Sequence, residues 1–188
     1  MTTSTIILVG AAILALIIVT ILFNTMVGRK NRVQFAFAGM DAMLKKRFDL
    51  IPNLVAAVER YMKHEREVLL QLTTIRSRAT AGGMEKDDLV QLDNRLTSTL
   101  RSVFALAENY PQVRASNNFL QLQGALNDTE EQIAASRRAY NAAVTDYNNG
   151  CGMFPLNVVA TLMGYRPMAW FEISDVERRN VNVRELWS

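Results

Sequence analysis

An uncharged run from Ile6 to Val27, IILVGAAILALIIVTILFNTMV, sets the terms for the rest of this chain. Its core, Ile6 to Phe23, is almost wholly apolar, and a bilayer core takes roughly 20 apolar helical residues. In lipid every backbone amide must be satisfied inside the segment, so the single-pass form is a helix. Ile6, Leu8, Ile13, Leu16, Ile18, Ile21 and Phe23 are read as its lipid-facing members. A cleaved signal peptide fits less well. MTTST carries no Lys or Arg, the run exceeds the ~7–15 residues of a signal core, and no A-x-A-like site follows Phe23. A buried core helix would need an equally apolar partner, and the remaining sequence offers none.

Every charged side chain lies at or beyond Arg29. Arg29, Lys30 and Arg32 flank the span directly, and the positive-inside bias places such a cluster on the cytoplasmic side. The expectation is a single-pass protein of a bacterial inner membrane with its body in the cytoplasm. The alternative is a periplasmic body whose flanking cations merely reach for headgroups.

Beyond the flank the chain reads as helix. Val33, Phe37, Met40, Leu44, Phe48, Ile51, Val55, Val58, Met62, Leu69 and Leu72 recur mostly at gaps of three and four, with one skip past Glu65. The anchor helix is therefore expected to continue into the body and to end near Ala81-Gly82-Gly83. Pro52 falls inside it. Because the period keeps phase across the proline, the expectation is a kink and not two helices.

A second helix follows over 84–110, with Asp87 and Asp88 in its first turn and Pro111 as its stop. Its apolar face is Leu89, Leu92, Leu96, Leu100, Val103 and Leu106. The third, 116–148, carries a heptad-period seam through Phe119, Leu122, Leu126, Ile133, Tyr140 and Tyr147. Asn149-Gly150 is its expected stop. A short apolar helix, 155–163, closes at Gly164. It reads as a cap on the bundle, or as an element facing membrane or subunit. The tail, 166–188, reads as extended or irregular. Val158, Leu162, Trp170, Phe171 and Trp187 are the candidate partner surface.

The fold expected is all-α: one transmembrane helix continuing into an elongated antiparallel bundle of three long helices and one short one. Its parts are an anchor (1–28), a bundle (29–165) and a tail (166–188).

Little in the sequence points to catalysis. One His and one Cys cannot build the usual zinc clusters, and a lone Cys allows no internal disulfide. His64-Glu65 reads as surface or capping, since no second His or Cys supports a site. Cys151 reads as a structural loop residue. Gly150-Cys151-Gly152 lacks the Lys and preceding strand of a phosphate loop. Lys45, Lys46 and Arg47 are a weak candidate for a membrane-facing basic face, because adjacent residues point to different sides of a helix. The net charge of +3 falls short of a nucleic-acid binder. No cofactor or metal is expected.

Ordered motifs then carry a resemblance. KRFDLIPNLV (46–55), YMKHE (61–65), AENYPQVRASNNFLQLQ (107–123), TEEQIAASRRAYNAAVTDYN (129–148) and FPLNVVATLMGY (154–165) closely resemble the LemA family. The resemblance covers 33–172 and includes the hydrophobic segment ahead of the motifs. It implies a helical bundle on a bacterial membrane without an established catalytic activity. Some relatives look like lipoproteins. No lipobox cysteine stands near the start here, which removes lipid anchoring from the expectation. The functional expectation is a non-enzymatic scaffold that self-associates at the bilayer, organising or remodelling the envelope membrane. The alternative is an adaptor for another membrane protein, such as a protease or sensor kinase.

Overall fold

The computed structural model describes residues 2–84 and 86–171. Those residues form helices and connecting turns, with no strand among them. In chain order the helices are α1 (Thr3–Val58), α2 (Arg66–Thr80), α3 (Lys86–Ala107), α4 (Pro111–Arg114), α5 (Asn117–Gly152) and α6 (Leu156–Leu162). The fold is the expected all-α bundle led by a long apolar helix. By chain contacts it divides into two compact units. The first joins residues through Met40 to Ala135–Trp170, and the second is Asp41–Ala134 with Phe171.

α1 runs 56 residues without a break. Its apolar start is long enough to cross a membrane, and none of that window is buried within the protein. Burial begins at Met26 and recurs at Val33, Met40, Leu44, Phe48, Ile51, Leu54 and Val58. Pro52 sits inside the helix and does not end it. The break falls later, between Val58 and Arg66. The expectation of one helix to Ala81 is corrected here, and the reason is patterning. Lys63 to Glu67 are five polar residues in a row with no apolar side chain to bury, so that turn has nothing to hold it to a core. Met62, fully buried, pins the corner, and the Tyr110 hydroxyl donates to Glu65 Oε1 at 3.3 Å. Partial desolvation and then the Glu65 carboxylate raise that hydroxyl above its ordinary pKa.

Within the second unit α2 packs on α3. Leu69, Leu72 and Ile75 of α2 and Leu92, Leu96, Leu100 and Val103 of α3 are all buried. Phe104 and Phe119 meet edge to face with centroids 6.0 Å apart. Pro111 does not simply end α3. The helix stops at Ala107, and Pro111 opens the single turn α4 at the first helical position, where its missing N–H costs nothing.

α5 carries the seam. Phe119, Leu126, Ile133, Tyr140 and Tyr147 are buried and Leu122 is half-buried. The helix does not stop at Asn149-Gly150 but continues to Gly152, with the Met153 N–H donating to the Asn149 carbonyl at 2.9 Å. Gly150 is there for space. A Cβ on it would lie 2.9 Å from Met26 Sδ and 3.3 Å from Arg29 Cδ, so α1 and α5 approach each other where no side chain fits between. Cys151 consequently stands on a helix and not in a loop. α6 ends at Leu162, and Gly164 beyond it, with a φ of +67°, forms the left-handed cap, the Tyr165 N–H donating to the Ala160 carbonyl.

Candidate functional site

The first unit builds a polar collar just past the end of the apolar span. α5 runs antiparallel to α1 in this unit: Tyr140 packs on Phe37, Asp146 meets Arg29, and Gly150 meets Met26. Arg29 donates to the Asp146 main-chain carbonyl at 2.6 Å and pairs with its carboxylate at 3.3 Å. Arg32 approaches the same carboxylate at 3.5 Å. Lys30 lies 4.5 Å above the Tyr165 ring. The basic flank therefore has specific partners on α5 and on the segment after α6.

Past Tyr165, where the sequence placed the start of an extended or irregular tail, the described residues to Phe171 have no helix or strand but do have side-chain partners. Asn148 grips Met168 from both sides, its Nδ2 donating to the carbonyl at 2.9 Å and its Oδ1 accepting the N–H at 2.8 Å. Trp170 Nε1 donates to Thr145 Oγ1 at 2.9 Å. Trp170, Val158 and Leu162 are exposed and Phe171 is buried. Trp187 lies outside the described residues.

Tyr147 sits beneath the collar, beside Tyr165 at a centroid distance of 6.2 Å. Burial pushes its hydroxyl up to about 12, with the hydrogen bond to Cys151 and the nearby Cys151 and Tyr165 charges adding to the effect. A raised folded-state value means the neutral phenol is favoured in the fold. Its contribution to stability is complete below the unfolded value of 10.0 and is lost as pH rises through about 12. In an absorbance titration Tyr147→Phe is expected to remove a tyrosinate signal appearing near pH 12, not one near pH 10. Loss of signal near the ordinary tyrosine pKa would contradict the placement.

The second unit holds a buried ion cluster that the sequence did not reveal. Arg47 is 1% exposed. Its Nη1 donates to Asp93 Oδ1 at 2.7 Å and to Thr97 Oγ1 at 3.0 Å, and its Nη2 to Glu130 Oε2 at 3.2 Å. One guanidinium thus joins α1, α3 and α5, the planar fork that Arg supplies and Lys does not. Lys45, Lys46 and Arg47 are accordingly no basic face. A signal existed: Arg47 falls in phase with Leu44, Ile51 and Leu54, and Asp93 adjoins Leu92 on the face that continues to Leu96. A cation and an anion, each set in an apolar stripe, is the pattern of a buried pair.

His64 is exposed and takes no part in either cluster. A groove of about 740 Å³ opens between the end of α1 and α2, with Val55, Leu69 and Leu70 along it and Glu59, Lys63 and Arg66 beside them. It brings no nucleophile to a base. Among the described residues no three His, Cys, Asp or Glu side chains come together as a metal-holding group.

Comparison with known proteins finds related sequences. The model of the LemA family matches residues 36–184. Protein LemA of Metamycoplasma hominis is 28% identical over 163 residues, covering 87% of this chain and 74% of that protein. Magnetosome protein MamQ 2 of Paramagnetospirillum magneticum is 23% identical over 175 residues, covering 80% of this chain and 64% of that protein. Magnetosome protein MamQ of Magnetospirillum gryphiswaldense is 26% identical over 83 residues, covering 44% of this chain and 30% of that protein.

Proposed function

Because the chain belongs to the LemA family, we propose that it is a single-pass, non-enzymatic structural protein of the bacterial inner membrane that self-associates at the bilayer surface. The observation that carries this reading is the unbroken α1. Apolar span and packed helix are one hydrogen-bonded element, with no linker between anchor and body. A tethered enzyme gains reach from a flexible linker; a structural element gains position from having none. The cytoplasmic side suits Arg29, Lys30 and Arg32.

The non-enzymatic half draws on the chemistry of the polar groups. Arg47 is held by Asp93, Thr97 and Glu130 in a contact that ties helices together, and the related proteins bear the names LemA and MamQ, which are not enzyme names. The self-association half draws on Phe35. It is 82% exposed on the face of α1 opposite Val33. Gly28 and Gly39 share that face, and a Cβ at either would meet nothing. A second copy's helix could close on such a surface, and anchoring both copies in one bilayer raises their effective concentration.

The test is the mass of the full-length protein in nanodiscs or mild detergent across a wide concentration range. Oligomers that build up with concentration, and that Phe35→Asp shifts to at least tenfold higher concentration, are expected; that shift is about 1.4 kcal/mol. A monomer at every concentration would remove self-association from the reading.

A further inference from the structure

The uncharged stretch of the body lies at the level where the apolar run of α1 ends. From Tyr147 to Tyr165 the sequence holds no Asp, Glu, Lys or Arg, and Asp146 and Arg166 bound it on either side. Four of its apolar side chains face outward: Met153 at 64% exposure, Phe154 at 83%, Val158 at 51% and Leu162 at 83%. Isolated exposed apolar residues are ordinary, whereas a run of them without a charge marks a contact surface.

Register along α1 gives the depth of that surface. Gly150 is level with Met26, and α5 descends as α1 rises. At about 1.5 Å per residue, Met153 lies roughly 4.5 Å nearer the bilayer than Gly150. That is the level of Phe23, where the apolar run ends. The chain then turns back. Tyr165 lies under Lys30, Met168 is bonded to Asn148, and Trp170 to Thr145, so 153–162 is the corner at which the first unit's chain reverses, between the level of Phe23 and that of Lys30. Arg29, Lys30 and Arg32 follow the apolar run on α1, the place of headgroup-level cations in a spanning helix, and Tyr165 is an aromatic suited to that boundary.

We propose that the corner from Met153 to Leu162 is a lipid-contact site, with Met153, Phe154, Val158 and Leu162 seated in the headgroup–acyl boundary of the leaflet that α1 leaves. The occupant is phospholipid, because the surface continues the span's own lipid-facing surface at the same depth and carries no charge. An interfacial element of this kind buries its apolar face by ~5–10 Å. Span and corner together hold the first unit against the membrane at two places instead of one. The proposal rests on the anchor reading above.

Collision accessibility of nitroxide labels tests it on the full chain. The protein, in a Cys151→Ser background, is reconstituted in nanodiscs of phosphatidylethanolamine and phosphatidylglycerol. Single labels are placed by Leu16→Cys in the span, Phe154→Cys and Leu162→Cys in the corner, and Ala139→Cys on the exposed side of α5 in the same unit. Labels at 154 and 162 are expected to collide with oxygen in preference to a water-soluble nickel chelate, by a ratio several-fold above that at 139 and approaching that at 16. Ratios at 154 and 162 equal to that at 139 would overturn the proposal, since the corner would then face water. Protection from both reagents would overturn it too, by showing a protein cover such as a second copy. A water-like label at 16 would defeat the anchor reading, and this proposal with it.

Discussion

Replacing Arg47 by alanine is expected to lower the unfolding free energy by about 3–5 kcal/mol, the cost of removing one partner from a buried ion pair. The loss comes from what remains. Asp93 is 3% exposed at its side chain, and without the guanidinium its carboxylate loses the 2.7 Å charged contact while staying shut away from water. Glu130 suffers less, because its side chain is 43% exposed and can turn to water. Asp93→Leu alone should cost less, because Arg47 loses the 2.7 Å contact but keeps Thr97 and the Glu130 carboxylate.

The double variant Arg47→Met, Asp93→Leu should recover most of that loss. Apolar residues of similar size often replace a buried pair at little or no cost. Chemical denaturation of Arg47→Met, Asp93→Leu and the double variant in one detergent closes the cycle. A sum equal to the two single losses would mean that the residues act independently, against the 2.7 Å contact.

Gly150→Leu is the second large effect. A Cβ alone would stand 2.9 Å from the sulfur of Met26, which is fully buried and has little room to retreat. Overpacking of this kind costs about 1–3 kcal/mol. Removing a helix-interior glycine returns about 1 kcal/mol. Gly150→Ala should therefore be close to neutral, while Gly150→Leu, with three more carbons in the same gap, loses stability outright. The substitution also pushes on Arg29, so the Arg29–Asp146 contact should loosen with it. Combining Gly150→Leu with Met26→Ala should cost less than the sum of the two, because each relieves the other. Strict additivity would place the clash elsewhere.

Glycine at 150 shows how a local rule misleads. Asn-Gly after a long amphipathic run is a sound stop signal, and here it lies inside α5. The glycine answers to a neighbour 121 to 124 residues away in the chain, Met26 and Arg29, and no window around Gly150 contains them. The turn at 59–65 is the converse. It has neither glycine nor proline, and only the polar run from Lys63 to Glu67 marks it. Pro52, the obvious breaker, sits within a continuous helix. Arg47 looked like one of three surface cations because a guanidinium is normally solvated. Its burial depends on Asp93 and Glu130 arriving from other helices.

The sequence by itself determined the helical class, the apolar span and the buried stripes of α1, α3 and α5, because each follows from side chains a few residues apart on one element. It also carried the family, through motifs in order. The tertiary structure alone decided which polar residues meet, where α5 stands against α1, and that the uncharged corner at 153–162 lies at the end of the span. Those depend on contacts between residues far apart in the chain, and a periodic pattern holds no information about which face of another helix will fill the space opposite.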